Sequence, residues 1–481
     1  MHFTVILRVT GILLTLFSLS MLVPMGVALH YGENTFLTFG AAGFVTLASG
    51  LALWLSMRGE RELRSGDGFL ITALFYLGLG LFGAIPIYFA DATDMSFTDA
   101  AFESLSGLTT TGATVITGLD ELPRSILFYR QLLQWLGGMG IIVLAVAILP
   151  MLGIGGMQLY RAESPGPVKD NKLTPRITET AKALWYIYLS LTLTCMVCYR
   201  IAGMSWFDAV CHAFSTVAIG GFSTHDASIG FFSNGAIEAV AVVFMIVSGI
   251  NFGLHFIAWN NRSLRVYLGD PEVRLYVLVL FVISAIVTGI LSQHPEASSS
   301  PFAHGVFQTV SIATTTGFTT SDYSLWPSAA PVLLLFAAFA GGCAGSTAGG
   351  IKMVRVVLIY RQGVREIRRL IHPSGVFPIK LGRNPVPDRV IEAVWSFFAA
   401  YVIIFLTLVT AMMLISDFDF ITAFSAVGAC LNNLGPGLGD VALNYASVPA
   451  TAKWLLIFAM LLGRLEIFTV LVLLSPAFWR R

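Results

Sequence analysis

The sequence predicts an all-α protein that crosses a membrane many times, and three observations carry that expectation. Hydrophobic residues make up 56% of the 481-residue chain and charged residues 11%, with a mean hydropathy of +0.79. Apolar stretches of about 20 residues, the length needed to span a bilayer, recur from end to end. Four segments between those stretches resemble one another, and each turns on a glycine. A soluble domain carries about 25% charged residues, so a water-exposed fold of this length could not cover its surface. Disorder needs low hydrophobicity and high net charge, whereas the net charge here is +1. No long basic tract suggests a nucleic-acid partner. Five cysteines all lie in or beside apolar stretches. Cys195 and Cys198 form a CxxC by spacing, open to a redox or zinc reading. Its setting in a helix-like apolar run favours buried thiols, and no disulfide framework is inferred.

Ten crossings are expected, near 5–30, 36–57, 68–90, 125–154, 183–202, 235–259, 275–292, 328–358, 390–415 and 452–478. The first is too long for a secretory signal, and a second follows almost at once. Ten crossings put both termini on one side. Lys and Arg concentrate there, which marks it as cytoplasmic: Arg58, Arg61 and Arg64; Arg161, Lys169, Lys172, Arg176 and Lys182; Arg262, Arg265 and Arg274; eight residues from Arg355 to Arg389, Arg383 among them; and Arg480 with Arg481. The opposite side carries Asp91, Asp94, Asp99, Asp120, Asp208, Asp226, Asp322, Asp440 and other acids. Such a face concentrates cations at an entrance. Arg124 and Arg200 oppose the trend.

The four similar segments are Phe97 to Thr114, Trp206 to Ser223, Phe302 to Thr319 and Phe420 to Gly437. They align on Gly112, Gly221, Gly317 and Gly435. An aromatic stands fifteen residues before each glycine, and Ser106, Ser215, Ser311 or Ala429 six before. Recurrence at separations of 109, 96 and 118 residues is an internal repeat, stronger evidence than any single motif. About 11 residues of helix rise roughly 17 Å, half a bilayer. Each unit therefore reads as span, half-helix, extended loop, span. Irregular backbone at membrane depth is tolerated only inside protein or along a water-filled path. Four such loops can surround one axis.

A glycine in each loop opens backbone angles closed to other residues and lets carbonyls approach a shared centre. A ring of carbonyls can replace the water around a monovalent cation, and half-helix C-termini favour a cation. The core tetrapeptides TTTG, AIGG, TTTG and NNLG contain no carboxylate. A site for hard divalent ions would use carboxylates, so the pattern argues for a large, weakly hydrated monovalent ion.

The motifs TTTGAT at 109–114, AIGGFSTHD at 218–226, TTTGFTT at 314–320 and NNLGPGLG at 432–439, with two spans ahead of the first repeat, resemble the bacterial potassium transporters of the Trk/Ktr/HKT superfamily, specifically their TrkH-type membrane subunits. The resemblance covers nearly the whole chain. It implies two N-terminal helices (1–66) and four pore repeats (67–160, 161–270, 271–372 and 373–481) around one central pore, in chains paired as homodimers. It implies a potassium filter of backbone carbonyls from Thr110, Thr111 and Gly112, from Ile219, Gly220 and Gly221, from Thr315, Thr316 and Gly317, and from Asn433, Leu434 and Gly435. All four glycines are present, which implies potassium preference. Asn-Leu-Gly-Pro in the fourth repeat departs most from the family pattern.

The eighth apolar stretch is interrupted by Gly341 to Gly350, five of whose ten residues are glycine. Each costs about 1 kcal/mol relative to alanine in a helix, so a loop there is favoured over a tightly packed helix. The resemblance implies an intramembrane gating loop at 341–350, with Gly345, Gly349, Gly350 and the following Lys352. Arg464 lies within the last span. Facing the pore, it would repel cations and set a barrier below the filter, as the resemblance implies. Paired with a carboxylate, it would be structural. Asn251, His255 and Glu392 read as packing or interfacial residues, and Gly249 with Gly253 as a close helix approach.

These features predict potassium uptake across the bacterial inner membrane, channel-like or weakly coupled, by a protein that is not an enzyme: no convergent cluster of His, Asp or Ser marks a catalytic centre. A potassium/proton or potassium/sodium symporter with alternating access is the alternative. No GxxxxGK[ST] loop occurs, so no nucleotide is expected to bind this chain. The resemblance implies a cytosolic ring of nucleotide-binding gating subunits, for which the basic segment 352–389 is a docking surface. Positive-inside bias alone also explains that charge.

Overall fold

The computed structural model describes residues 3–56, 65–143, 177–327, 329–382 and 384–480. The fold is helical, as expected. Helices α1 (Phe3–Ser20) and α2 (Leu22–Tyr31) form the first span, α3 (Thr35–Ser56) the second and α4 (Ser65–Tyr88) the third. The first short half-helix, α5 (Phe97–Leu108), precedes α6 (Arg124–Val143). The remainder of that fourth stretch, the basic residues Arg161 to Arg176, and also Arg58, Arg61, Arg64, Arg383 and Arg481, lie outside the described residues. Helix α7 (Ile177–Ala202) leads to the second half-helix, α8 (Trp206–Ala218), and then to α9 (Gly235–Ser248), α10 (Phe252–Asn261) and the short α11 (Arg265–Gly269). Helix α12 (Pro271–Ser292) leads to the third half-helix, α13 (Pro301–Ala313), and to α14 (Ala330–Ala340) and α15 (Met353–Ile371). Helix α16 (Asp388–Ile415) leads to the fourth, α17 (Phe420–Asn432), then α18 (Ala450–Arg464) and α19 (Ile467–Leu474).

Local chemistry starts each half-helix where the repeat begins. Ser96, Ser205 and Asp419 accept hydrogen bonds from the backbone N–H of the third helical residue, at 3.0–3.2 Å, satisfying an orphan donor of the first turn. In α13, Pro301 takes the first position, where its missing N–H does no harm.

Two stretches expected to cross as single helices are broken. The sixth bends by 93° between α9 and α10, and the tenth by 114° between α18 and α19. At the first break, His255 of α10 bonds the Val247 carbonyl of α9 at 3.0 Å and the Tyr267 hydroxyl at 2.8 Å. Asn251 caps α10 by accepting from Gly253 N–H at 2.7 Å. Both thus bridge the bend between α9 and α10. At the second break Glu466 adopts φ +62°, and its carboxylate pairs with Arg355 at 2.9 Å. The basic segment 352–389 also holds a small hairpin the sequence did not suggest, β1 (Lys380–Leu381) antiparallel to β2 (Asn384–Pro385). All five cysteines are free thiols.

Candidate functional site

The four half-helices end identically, and the endings converge. In each, the residue before the aligned glycine donates its N–H to the carbonyl five residues back: Thr111 to Ser106, Gly220 to Ser215, Thr316 to Ser311 and Leu434 to Ala429, at 2.8–2.9 Å. The residue before that donor bonds three residues back: Thr110 to Gly107, Ile219 to Thr216, Thr315 to Ile312 and Asn433 to Cys430. This paired closure is a Schellman turn, whose pivot is left-handed and usually glycine. Here the pivots are Thr110, Ile219, Thr315 and Asn433, with φ between 52° and 65°. Three of the four are β-branched, for which that conformation is a true outlier. Strain of order 1–3 kcal/mol at each persists only where the surroundings impose it. The small residue six before each glycine is thus the carbonyl that closes the turn.

The glycines close a ring. They have φ 80°, 83°, 86° and 96°. A Cβ on Gly112 would stand 2.0 Å from the Gly220 carbonyl oxygen, and one on Gly221 2.0 Å from that of Thr316. One on Gly317 would stand 2.2 Å from that of Leu434, and one on Gly435 2.8 Å from that of Thr111. Each glycine therefore abuts the residue preceding the next repeat's glycine, in the order first, second, third, fourth, first. No side chain can intervene at those contacts. Two of the expected ligand carbonyls also serve protein donors: Gly220 accepts from Gln134 Nε2 at 2.6 Å and Gly435 from the Tyr445 hydroxyl at 2.8 Å. Each leaves one lone pair for an ion.

On one side of the ring opens a vestibule of about 380 Å³, lined among others by Gly112, Gly221, Gly317, Pro436 and Arg130. Its wall is braced by an ion pair that sequence reasoning missed. Arg130 Nε lies 2.7 Å from Glu103 Oε1, and both side chains are at most 1% exposed. Glu103 also accepts from Thr114 Oγ1 at 3.0 Å and Val115 N–H at 2.9 Å. Arg130 donates to the Ser223 carbonyl at 3.0 Å and stacks on Phe222. One pair thus ties the outgoing strands of the first two loops together. Glu103 stands nine residues before Gly112. The equivalent His212 bonds Ser223 Oγ at 2.9 Å, and the equivalent Gln308 accepts from Thr320 N–H. A charged residue inside an apolar half-helix was the available signal. At the vestibule rim, His225 bonds Asp120 of the first loop and lies 3.6 Å from Asp208. Burial works to lower the His225 pKa, but hydrogen bonds and charge from Asp208 and Asp120 outweigh it and hold it above the usual histidine value.

The glycine-rich segment 341–350 packs against the opposite side of the ring as a loop, as expected. Thr347 Oγ1 donates to the Val217 carbonyl at 3.0 Å, Gly349 N–H to Thr315 Oγ1 at 2.7 Å, and Gly350 N–H to the Asn432 carbonyl at 3.1 Å. It therefore meets the ends of three half-helices. It also explains the first broken span. Cys343 N–H donates to the Gly249 carbonyl at 2.8 Å, and Phe252 N–H to the Gly345 carbonyl at 3.0 Å. The groups freed at one break are satisfied by the other. Gly249 thus serves this junction, beside the close approach read from its spacing: a Cβ there would stand 2.3 Å from the Tyr276 hydroxyl.

Arg464 is buried below the ring. It donates long bonds to the carbonyls of Thr347 (3.3 Å) and Gly137 (3.4 Å). Among the described residues it forms no ion pair, since Glu466 pairs with Arg355. It lines a chamber of about 80 Å³ with Gly349, Gly350, Lys352 and Asn433. Its hydrogen-bond partners among the described residues are thus backbone carbonyls, not a carboxylate. Lys352 has φ +79° and its ammonium meets the Ala348 carbonyl. No group of three or more His, Cys, Asp or Glu able to hold a metal forms among the described residues.

The family model TrkH, described as cation transport protein, matches residues 37–481. The chain is 55% identical over 485 residues to the Trk system potassium uptake protein TrkH of Halomonas elongata, covering 100% of both chains. It is 54% identical over 483 residues to TrkH of Escherichia coli K12, again over 100% of both. It is 43% identical over 484 residues to the potassium uptake protein TrkG of the same organism, over 100% of this chain and 99% of that one. Its fold matches the crystal structure of the potassium transporter TrkH from Vibrio parahaemolyticus with a TM-score of 0.92 and 52% identity over 100% of both chains.

Proposed function

This chain belongs to the TrkH family of cation transport proteins, and from that premise we propose that it takes up potassium across the bacterial inner membrane through the ring of four loops. The observation that carries the proposal is the closure of the ring, glycine against neighbouring carbonyl, four times in sequence order. In this reading the carbonyls of residues 110–112, 219–221, 315–317 and 433–435 replace the water of a weakly hydrated ion, and the half-helix C-termini add favourable dipoles. The first repeat begins near residue 67, the others near 161, 271 and 373. The acidic, His225-bearing rim faces outward and both termini face the cytoplasm. Transport is channel-like or weakly coupled. A negative interior supplies about 2.3 kcal/mol per charge per 100 mV, enough for roughly fiftyfold accumulation.

The loop 341–350 is the gate in this reading. Its bonds to the half-helix ends beneath the ring support that role, and Lys352 and Arg464 add positive charge to the chamber below. A cytosolic nucleotide-binding regulatory subunit moves the gate, docking on the basic segment 352–389, where Arg368 and Arg369 are exposed. Two chains pair as a homodimer.

The test is flux of potassium, rubidium and sodium into liposomes holding the purified protein, with and without Gly112→Ser. The new Cβ must displace the Gly220 carbonyl at positive φ. Potassium and rubidium flux with little sodium, and lost discrimination in the variant, is the expected result. Equal flux of all three ions in the unmodified protein would overturn the filter. A fixed proton or sodium ratio would mark a symporter.

A further inference from the structure

The gate loop has two ends, and one side chain holds both. Glu272 Oε1 accepts from Ala344 N–H at 2.7 Å, inside the loop, and from Val354 N–H at 3.1 Å, in the first turn of α15 that follows it. Glu272 is 3% exposed and sits in the first turn of α12, where Asp270 caps the helix by accepting from Glu272 and Val273 N–H. Among the described residues, the other groups that bond segment 341–350 are backbone carbonyls and N–H groups, the Thr315 hydroxyl, Arg464 and Lys352. Glu272 is the carboxylate among them, and hydrogen bonds to a carboxylate are about twice as strong as neutral ones.

Its place in the chain matters as much as its bonds. Six residues before Glu272 lies Val266 of α11, in a short segment carrying exposed Arg262 and Arg265 on the basic side. Loss of the Glu272 carboxylate would release Ala344 and Val354 together.

We propose that Glu272 is the positioning residue that latches the loop 341–350 across the pore. The inference rests on the loop being the gate. Glu272→Ala removes the acceptor. Glu272→Asp keeps a carboxylate but shortens its reach by one methylene, too short to serve both N–H groups. Glu272→Gln retains an acceptor oxygen. Gly349→Ala tests the gate independently, because its Cβ would stand 2.0 Å from the Asn432 carbonyl oxygen and push the loop off its seat.

The experiment is rubidium flux into liposomes holding the full chain alone, normalised to protein that remains monodisperse. Glu272→Ala and Glu272→Asp are expected to raise flux about tenfold, the equivalent of about 1.4 kcal/mol of closed-state stabilisation. Glu272→Gln, which keeps the acceptor oxygen but loses the charge, is expected between the parent and Glu272→Ala, and Gly349→Ala is expected to raise flux. A destabilised fold lowers flux and cannot mimic that gain; if Glu272→Ala does not fold, Glu272→Asp decides. Raised flux in Gly349→Ala with parental flux in Glu272→Asp would overturn the latch and leave the gate standing. No gain in any variant would overturn the gate reading and the latch with it.

Discussion

Removing the charge of Glu103 should loosen the first two loops together. In Glu103→Gln the side chain keeps its shape and one oxygen. That oxygen can still meet Arg130 Nε, now 2.7 Å from Oε1, and Thr114 Oγ1 at 3.0 Å. The second oxygen becomes an amide NH2, a donor facing the Val115 N–H donor 2.9 Å away. Flipping the amide saves Val115 and sets the clash against Arg130 instead. Arg130, 1% exposed, also loses its counter-charge. Breaking a buried ion pair by removing one partner costs about 3–5 kcal/mol. The retained oxygen places the expected loss at the lower end, about 3 kcal/mol. Arg130→Met on its own should cost a similar amount, since it strands the carboxylate. The double variant should cost less than the sum, because two uncharged groups of similar volume leave no orphan charge. The assay is the thermal inactivation of rubidium flux in liposomes across the four proteins of the cycle, with the rubidium-to-sodium ratio read on each. A clear coupling and a lower ion ratio in both single variants are expected. Additive losses, or an unchanged ion ratio with a lowered inactivation temperature, would refute the claim that this pair holds the ring in shape.

Other consequences follow from the same geometry. His225 has a folded pKa raised above its unfolded value, so its contribution is complete below about pH 6.5 and is lost as pH rises through the raised value. Thermal stability should fall on the alkaline side of that window, and His225→Gln should flatten the slope; an unchanged pH profile in the variant would count against the bridge to Asp120 and Asp208. Thr110→Gly relieves a left-handed threonine whose hydroxyl is buried without a hydrogen-bond partner. Its melting temperature should match or exceed the parent's, the strain relief of about 1 kcal/mol offsetting the lost methyl. Thr315→Gly relieves similar strain but deletes the acceptor for Gly349 N–H, so unliganded rubidium leak should rise in that variant and not in Thr110→Gly. Gln134→Leu removes the bond to the Gly220 carbonyl and those to Ser215 Oγ and Phe222 N–H; a lower rubidium-to-sodium flux ratio is expected.

The repeats were legible because their signals are local. An aromatic and a glycine fifteen residues after it mark each half-helix, and α5, α8, α13 and α17 begin within one residue of that aromatic. The loop at 341–350 was legible for the same reason, since five glycines disfavour helix wherever they stand. The left-handed pivots were not. Nothing in Thr110, Ile219 or Thr315 signals that conformation, and it exists because neighbouring repeats press the backbone into it. The breaks at Gly249–Asn251 and Leu465–Glu466 were hidden inside apolar stretches that read as continuous helices.

By its composition and spacing alone, then, this chain determined that it is helical, crosses a membrane, and carries four equivalent glycine turns. Apolar stretches and turn glycines act through lipid transfer and backbone freedom, which need no distant partner. Tertiary structure decided which glycine meets which carbonyl, that Glu103 pairs with Arg130, that Arg464 braces Thr347 and Gly137 rather than pairing with Glu466, and that one break supplies the hydrogen bonds the other lacks. Those choices depend on groups tens to hundreds of residues apart, such as Gly249 with Cys343 and Gly435 with Thr111. Inside a bilayer an unpaired polar group is costly enough that only the assembled fold, and no single segment, can settle where each one goes.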